Sequence, residues 1–389
     1  MKWELKQLGD LVETLKGFAF KSEWFQKSGI PIVKVKDFTE NSISENDLDY
    51  ISSEKASELQ KYALTSDDVI IQTVGSWASN PNSVVGKVIC TPKNLDGALL
   101  NQNAVKLISA ERLNKRFLFY CLRSDDFKGY IIGTAQGAAN QASITLDAIR
   151  KYTFQLPPLP TQQKIASILS AYDDLIENNL KRIRLLEEAA QHLYREWFVK
   201  FRFPGWEKAE VVVGLPEGWE KKKLGEVAII EWGDTSVTKA KYVEKGYNAY
   251  SASGCDGKLS YFDFDRTGIV LSAIGAYAGL TWFALGKWSA IKNTLKFWSK
   301  DEKMTDEYLF LATYGMNYWM RRGSAQPFIA LGDARNQVLI APTQNVVAAF
   351  SQKIRPFFLQ IDLLKIQNQK LKEARDILLP RLMNQTIEV

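Results

Sequence analysis

The chain has 389 residues, 46% hydrophobic and 24% charged, with a net charge of +6. This excludes a disordered or collagen-like chain and supplies two or more cores, at about 100–200 residues per domain. The basic excess is mild, compatible with a polyanionic partner without requiring one. Three scattered cysteines, Cys90, Cys121 and Cys255, form neither a disulfide framework nor a zinc motif and suit a reducing cytoplasm. No apolar run approaches the ~18 residues of a membrane span, and Met1-Lys2-Trp3-Glu4-Leu5 opens without the apolar region of a signal peptide.

In chain order, the first globular region opens with Trp3-Glu4-Leu5-Lys6-Gln7-Leu8-Gly9-Asp10. It holds β-like runs at residues 30–35, 69–74 and 84–90. Loops after these runs carry candidates for phosphate and base-edge contacts: Lys34, Lys36, Gln72, Thr73, Ser76, Trp77, Ser79, Asn80, Asn101, Gln102, Gln136, Asn140 and Gln141. Proline-rich Pro157-Pro158-Leu159-Pro160 then opens a helix, where a missing N–H costs nothing. Ile165, Leu169, Tyr172, Ile176, Asn179, Ile183, Leu186, Ala190, Leu193 and Trp197 recur in steps of four and three, the seam of a left-handed coiled coil. A linker over residues 203–218 follows.

The second globular region starts at Trp219 and has β-like runs at 269–274 and 280–284. Its candidate DNA contacts are Tyr250, Ser251, Ser253, Lys258, Ser272, Tyr277, Lys292, Asn293, Gln326 and Arg335. Ala341-Pro342-Thr343 opens a second helix with the seam Phe350, Ile354, Phe357, Ile361, Leu364, Asn368, Leu371, Arg375, Leu378 and Leu382. At 1.5 Å per residue, about 40 residues make each helix roughly 60 Å long, which predicts spacers and not core helices.

Catalytic constellations are missing. The lone histidine, His192, falls in a charged helical stretch, which leaves no catalytic triad and no histidine metal cluster. Gly86-Lys87 looks like the end of a phosphate loop, but Pro81 stands at its first glycine and Val88 at its Ser/Thr. Asn80-Pro81-Asn82 breaks the amino-methyltransferase pattern. Glu4-Leu5-Lys6 and Glu220-Lys221-Lys222 lack the preceding aspartate of a nuclease site. The reading is a non-catalytic chain with no metal and no cofactor of its own.

The halves repeat one another. The opening motif returns as Trp219-Glu220-Lys221-Lys222-Lys223-Leu224-Gly225-Glu226, and Asn103-Ala104-Val105-Lys106-Leu107 as Asn293-Thr294-Leu295-Lys296-Phe297. From Pro157 an ungapped offset of 185 carries the first helix onto the second. Backbone patterns agree while polar side chains differ: Gln72-Thr73 becomes Ser272-Ala273, and Ser76-Trp77 becomes Ala276-Tyr277. Such a duplication predicts an α+β chain: two tandem α/β domains and two long helices paired as an antiparallel coiled coil, with pseudo-two-fold symmetry suited to duplex DNA. In that pairing facing residues have a constant sum. The sum 547 sets Asn179 against Asn368, Ala190 against Phe357, and Tyr172 against Arg375 as a cation–π pair; it also brings Trp197 near Phe350 and Ile165 near Leu382.

Three elements carry a resemblance over essentially the full length: the Trp-Glu-x-Lys-x-Leu-Gly start, the span from Gly137 through Gln141 to Ile144, and Leu156-Pro157-Pro158-Leu159-Pro160-Thr161-Gln162-Gln163-Lys164-Ile165. With these the chain resembles the specificity subunit of type I restriction-modification systems. The second copy departs from the pattern, with one proline in Ala341-Pro342-Thr343-Gln344, then Asn345, and with Gly323 closer to Gln326. The register continues past both points, which reads as drift. The resemblance implies target recognition domains at 1–156 and 204–341 (linker 204–216), and conserved helical regions at 157–203 and 342–389. It implies a prokaryotic cytoplasmic protein of host defence that binds a bipartite double-stranded DNA target and docks two methyltransferase subunits and, through them, restriction subunits. S-adenosylmethionine would belong to the methyltransferase, and ATP and Mg to the restriction partner. A methylation-only system fits the same chain. A structural coiled-coil protein explains the helices but not the duplicated polar loops, and a free-standing enzyme lacks its residues.

Overall fold

The computed structural model describes residues 3–77, 84–138 and 141–389. Contacts divide the chain into two units, Met1–Ile176 with Gln369–Val389, and Glu177–Asn368. Each contains one globular region and a segment of both long helices.

In the first unit Val69-Ile70-Ile71 is an unbroken apolar run, and its strand, Val69–Gln72, is buried along its whole length. A run without polar alternation demands cover on both faces. It lies in an antiparallel sheet ordered Val12–Lys16, Ala104–Ser109, Val69–Gln72, Val88–Cys90. The helix Lys115–Cys121 packs on this sheet, with five consecutive buried residues and an Asn114 side chain that accepts from the Phe117 amide at 2.9 Å. A smaller sheet pairs Ile30–Val33 antiparallel with Asp49–Ile51 and parallel with Leu99–Leu100.

The second unit repeats this plan. Its central sheet runs Ala228–Trp232, Thr294–Ser299, Gly268–Ser272, Thr281–Ala284. The helix Asp306–Ala312 packs there, capped by Thr305. Tyr247–Ser251 pairs antiparallel with Gly254–Leu259 and parallel with Lys287–Ala290. In both copies the first and last strands close on each other: Glu4–Gln7 with Thr153–Leu156, and Glu220–Lys223 with Val338–Ala341. Gly17 and Gly233 occupy matching places. A methyl group at either would run into a backbone carbonyl, of Asn101 or of Ile291. The duplication seen in sequence is thus a duplication of topology.

The long helices are Leu159–Tyr194, continued by a π turn at Arg195–Val199, and Gln344–Met383. Every seam residue is buried or half-buried. In the second unit Asn179 Nδ2 donates to Asn368 Oδ1 at 2.8 Å and to Gln367 Oε1 at 3.0 Å. There too Trp197 and Phe350 rings lie 5.6 Å apart, and Phe357 packs against the core that holds Ala190. In the first unit Ile165 and Leu382 share one buried cluster. The helix segments therefore run antiparallel in each unit.

Two expectations need correction. Arg375 does not stack on Tyr172; its buried guanidinium bonds Asp173 and also Asp376. A carboxylate one residue away offers a charged, directional partner that outweighs a ring face. Nor are the helices only spacers. Ile165 and Leu169 belong to the first unit's core, and Phe198, Val347, Phe350 and Ile354 to the second's, since their faces cover the sheet-bearing layers.

The Pro-Thr-Gln-Gln motif acquires a physical role. Gln162, 1% exposed, accepts from the Asn114 amide at 2.9 Å and donates to the carbonyls of Arg112 at 3.1 Å and Pro157 at 2.8 Å. It pins the helix start to the globular layer. In the second copy its place falls to Val347, fully buried, and the polar link passes to the Thr305–Ser351 hydroxyl pair. The weaker motif there reflects this exchange of chemistry.

Replacing Asn368 with Leu removes one of the two acceptors of the buried Asn179 amide and sets hydrocarbon against it, and is expected to cost about 2 kcal/mol. Asn179→Leu alone should cost a similar amount, whereas the double replacement should recover most of the loss. Urea unfolding of the four proteins measures this, and additive losses would count against pairing of the two amides.

Candidate nucleic-acid interface

One loop cluster is built twice. After the first central strand, the Thr73 amide donates to Asn103 O at 2.9 Å, and Thr73 O accepts from the Ile144 amide at 3.0 Å. In the second unit the Ala273 amide donates to Asn293 O at 2.9 Å, and Ala273 O accepts from Ile329 at 2.8 Å. These four bonds knit three loops together: the strand exit, the turn before the next sheet strand, and the segment before a short helix. Unpaired backbone groups in such a buried knot would be costly, so the loop bases are fixed while their tips are free to vary.

In the first unit the hairpin Gln136–Ala138/Gln141–Ser143 adds to Val74–Gly75, which places Gln136 and Gln141 exposed on that small sheet. Gln102 is exposed on the adjacent turn and Asn101 is half-buried. Ser76 pairs in a bridge with Val84, and Trp77 is half-buried against the unit's core. Ser79, Asn80 and Asn140 lie outside the described residues. In the second unit Tyr277, Lys292 and Gln326 are exposed at the matching cluster. Asn293 adopts a φ of 71°, in the left-handed region that asparagine tolerates.

The other candidates are buried or make contacts within the fold. Gln72, Thr73, Tyr250, Ser251 and Ser272 are buried: four of them end or lie within strands, and Thr73 sits in the bonded strand exit, so their side chains are enclosed by the packed layers. Gln72 Nε2 donates to Val74 O at 2.9 Å. Ser251 Oγ donates to Asp256 at 2.8 Å, beside Lys239, whose ammonium bonds the same carboxylate and reaches the exposed Ser253 at 3.4 Å. Burial works against the Asp256 charge, but bonds from Lys239, Ser251 and Tyr242 prevail and hold its carboxyl below the usual range. Lys34 and Lys36 both bind Asp49, at 2.7 and 3.3 Å, and Lys34 also sits 3.9 Å over the Phe25 ring. Those bonds hold the Asp49 carboxyl low, and the two lysines share this one carboxylate, with Lys36 the more exposed. Lys258 is half-buried on its strand. Arg335, exposed, donates one guanidinium N–H to Ile230 O at 3.0 Å, while its stem covers Gly225, as Arg150 covers Gly9.

Sequence reasoning passed over Met320-Arg321-Arg322. This segment is exposed, and Arg322 bridges in strand fashion to Phe328, beside Gln326. Two adjacent arginines just before Gly323 were the available signal. Among the described residues no group of His, Cys, Asp and Glu is placed to hold a metal ion, and no helix is long and apolar enough to cross a membrane. His192 is exposed on its helix.

A family model for the type I restriction modification DNA specificity domain matches residues 1–188 and 216–374. The type I restriction enzyme MjaIX specificity subunit of Methanocaldococcus jannaschii is 24% identical, over 98% of this chain and 92% of its own length. The HindI specificity subunit of Haemophilus influenzae is 23% identical, over 69% of this chain and 76% of its own. The crystal structure of the type I restriction-modification S subunit from M. genitalium shares the fold, with a TM-score of 0.61 at 14% identity, covering 98% of this chain and 96% of that one. With two matched copies spanning most of its length, in the same two places where the fold repeats, the chain belongs to the type I restriction-modification specificity subunits.

Proposed function

We propose that this specificity subunit reads a bipartite duplex DNA target, each loop cluster contacting one half-site. The carrying observation is the pair of clusters with identical backbone bonding and different side chains at their rims. Gln102, Gln136 and Gln141 stand at the first, and Tyr277, Lys292, Arg321 and Gln326 at the second. Side chains of these types hydrogen-bond base edges and neutralise phosphates, and a fixed base with a variable rim is what reading two different sequences from one scaffold requires. The chain works in the prokaryotic cytoplasm. The long helices dock two methyltransferase subunits, and restriction subunits join through them. S-adenosylmethionine is then carried by the methyltransferase, and ATP and Mg by the restriction subunit.

Exchanging residues 1–156 for the corresponding part of another family member should change one half of the methylated sequence and leave the other intact. Alteration of both halves would overturn independent reading. Affinity of the methyltransferase complex for its target should fall steeply with salt, with a log–log slope of about −0.9 per neutralised phosphate. Replacing Lys292 and Arg321 together with Gln should flatten that slope by about 2 if both meet phosphates; an unchanged slope would remove them from the interface.

A further inference from the structure

In the second unit two neighbouring seam layers differ in chemistry. One joins Asn179 to Asn368; the next holds Ile183 and Leu364, both buried. The sequence repeat carries Asn179 onto Leu364 and Ile183 onto Asn368. Each layer is therefore the repeat image of the other, with amides in one and hydrocarbon in the other.

We infer that these layers form a pairing code: they accept a first long helix against a second, and reject two first helices or two second helices drawn from separate chains. Like pairing of first helices would set Asn179 against Ile183 twice. Like pairing of second helices would set Asn368 against Leu364 twice. Asn179 is 0% exposed and its amide group serves two acceptors. Against isoleucine it would have neither, and each such loss disfavours a complex by about tenfold. Arg375 in the first unit acts the same way. Its repeat image is Ala190, so two like second helices would press its buried guanidinium against Phe357 and away from Asp173. Two halves built on one plan could otherwise exchange freely; the seam makes the partner of each half a half of the other kind.

The exposed hairpin Val211–Val212/Leu215–Pro216 offers the means of testing this, since Val213 at its tip is 99% exposed. A protease site placed between Val213 and Gly214 of the full chain is cut after folding. Isotope-labelled and unlabelled nicked proteins are mixed in mild urea until labels have scrambled between fragments, and native mass spectrometry counts the pairs. Random association would put half of the pairs in like combinations. The expected share is below about 5%, from two unpaired amides per like pair. A variant carrying Ile183→Asn and Leu364→Asn sets an amide against an amide in both layers, in native and like pairs alike. Its like share should rise at least fivefold. A random share in the unmodified seam, or an unchanged share in the variant, would overturn the code.

Discussion

Asp173→Ala is expected to lower the unfolding free energy by about 3 kcal/mol. Asp173 gathers four partner side chains in the first unit. It accepts from Tyr120 Oη at 2.7 Å and from Asn41 Nδ2 at 3.4 Å, pairs with Arg123 at 3.9 Å, and bonds Arg375. Burial opposes the Arg375 charge, but Asp173 and Asp376 overcome it and keep the guanidinium firmly protonated. Removing Asp173 leaves that cation buried with Asp376 and a distant Glu40, 3.9 Å away, both largely exposed and so poor substitutes. The penalty is that of a stranded charge and not the net worth of the pair. Asp173→Ala with Arg375→Met should therefore recover most of the stability, because a well-packed apolar pair often replaces a buried ion pair at no cost. Chemical denaturation of both variants decides. A double mutant as unstable as the single would show that Asp173 acts through Tyr120 and Asn41 instead.

Trp288→Ala should cost about 4 kcal/mol, the usual range for emptying a buried tryptophan site. The ring is 0% exposed, stacks on Phe264 at 4.6 Å and meets Tyr250 edge-on at 6.0 Å. Its indole N–H donates to Arg266 O at 2.7 Å, so truncation also strands a carbonyl. Gly268 makes room for it, since a Cβ there would strike the ring. Trp288→Phe keeps most of the volume, loses the hydrogen bond and a small part of the packing, and should cost about 2 kcal/mol. Thermal unfolding followed by calorimetry distinguishes the two. Equal losses would mean that the hydrogen bond, and not the packing, carries the site.

The helices and their register were readable because a period of 3.5 residues and a single asparagine in each seam admit few alignments. The duplication was readable because Gly9 and Gly225, each lying under an arginine stem, and Asn103 and Asn293, whose carbonyls take matching bonds, answer to backbone geometry that both copies share. Rim residues were harder. Tyr250 and Ser251 lie on a strand with a bulge at Ala249/Tyr250, which shifts which side chains face inward, and alternation alone does not reveal a bulge. Lys34 and Lys36 looked available for phosphates because Asp49, their partner, is distant in sequence and reaches them through strand pairing. Arg375 was misread for the same kind of reason: a seam position named its facing residue but not the neighbour one place along that owns the charge.

The closing strand pair of each globular region carries a consequence for how such genes change. Glu4–Gln7 lies beside Thr153–Leu156, and Glu220–Lys223 beside Val338–Ala341, so everything between is a loop whose two ends are one strand spacing apart, about 4.8 Å. The cost of closing a loop grows only with the logarithm of its length. A crossover that imports a longer or shorter interior therefore adds well under 1 kcal/mol through closure, provided the two four-residue strands still match. Each region is a cassette with its own clasp, and recombination can deliver new contents without renegotiating the frame that holds them.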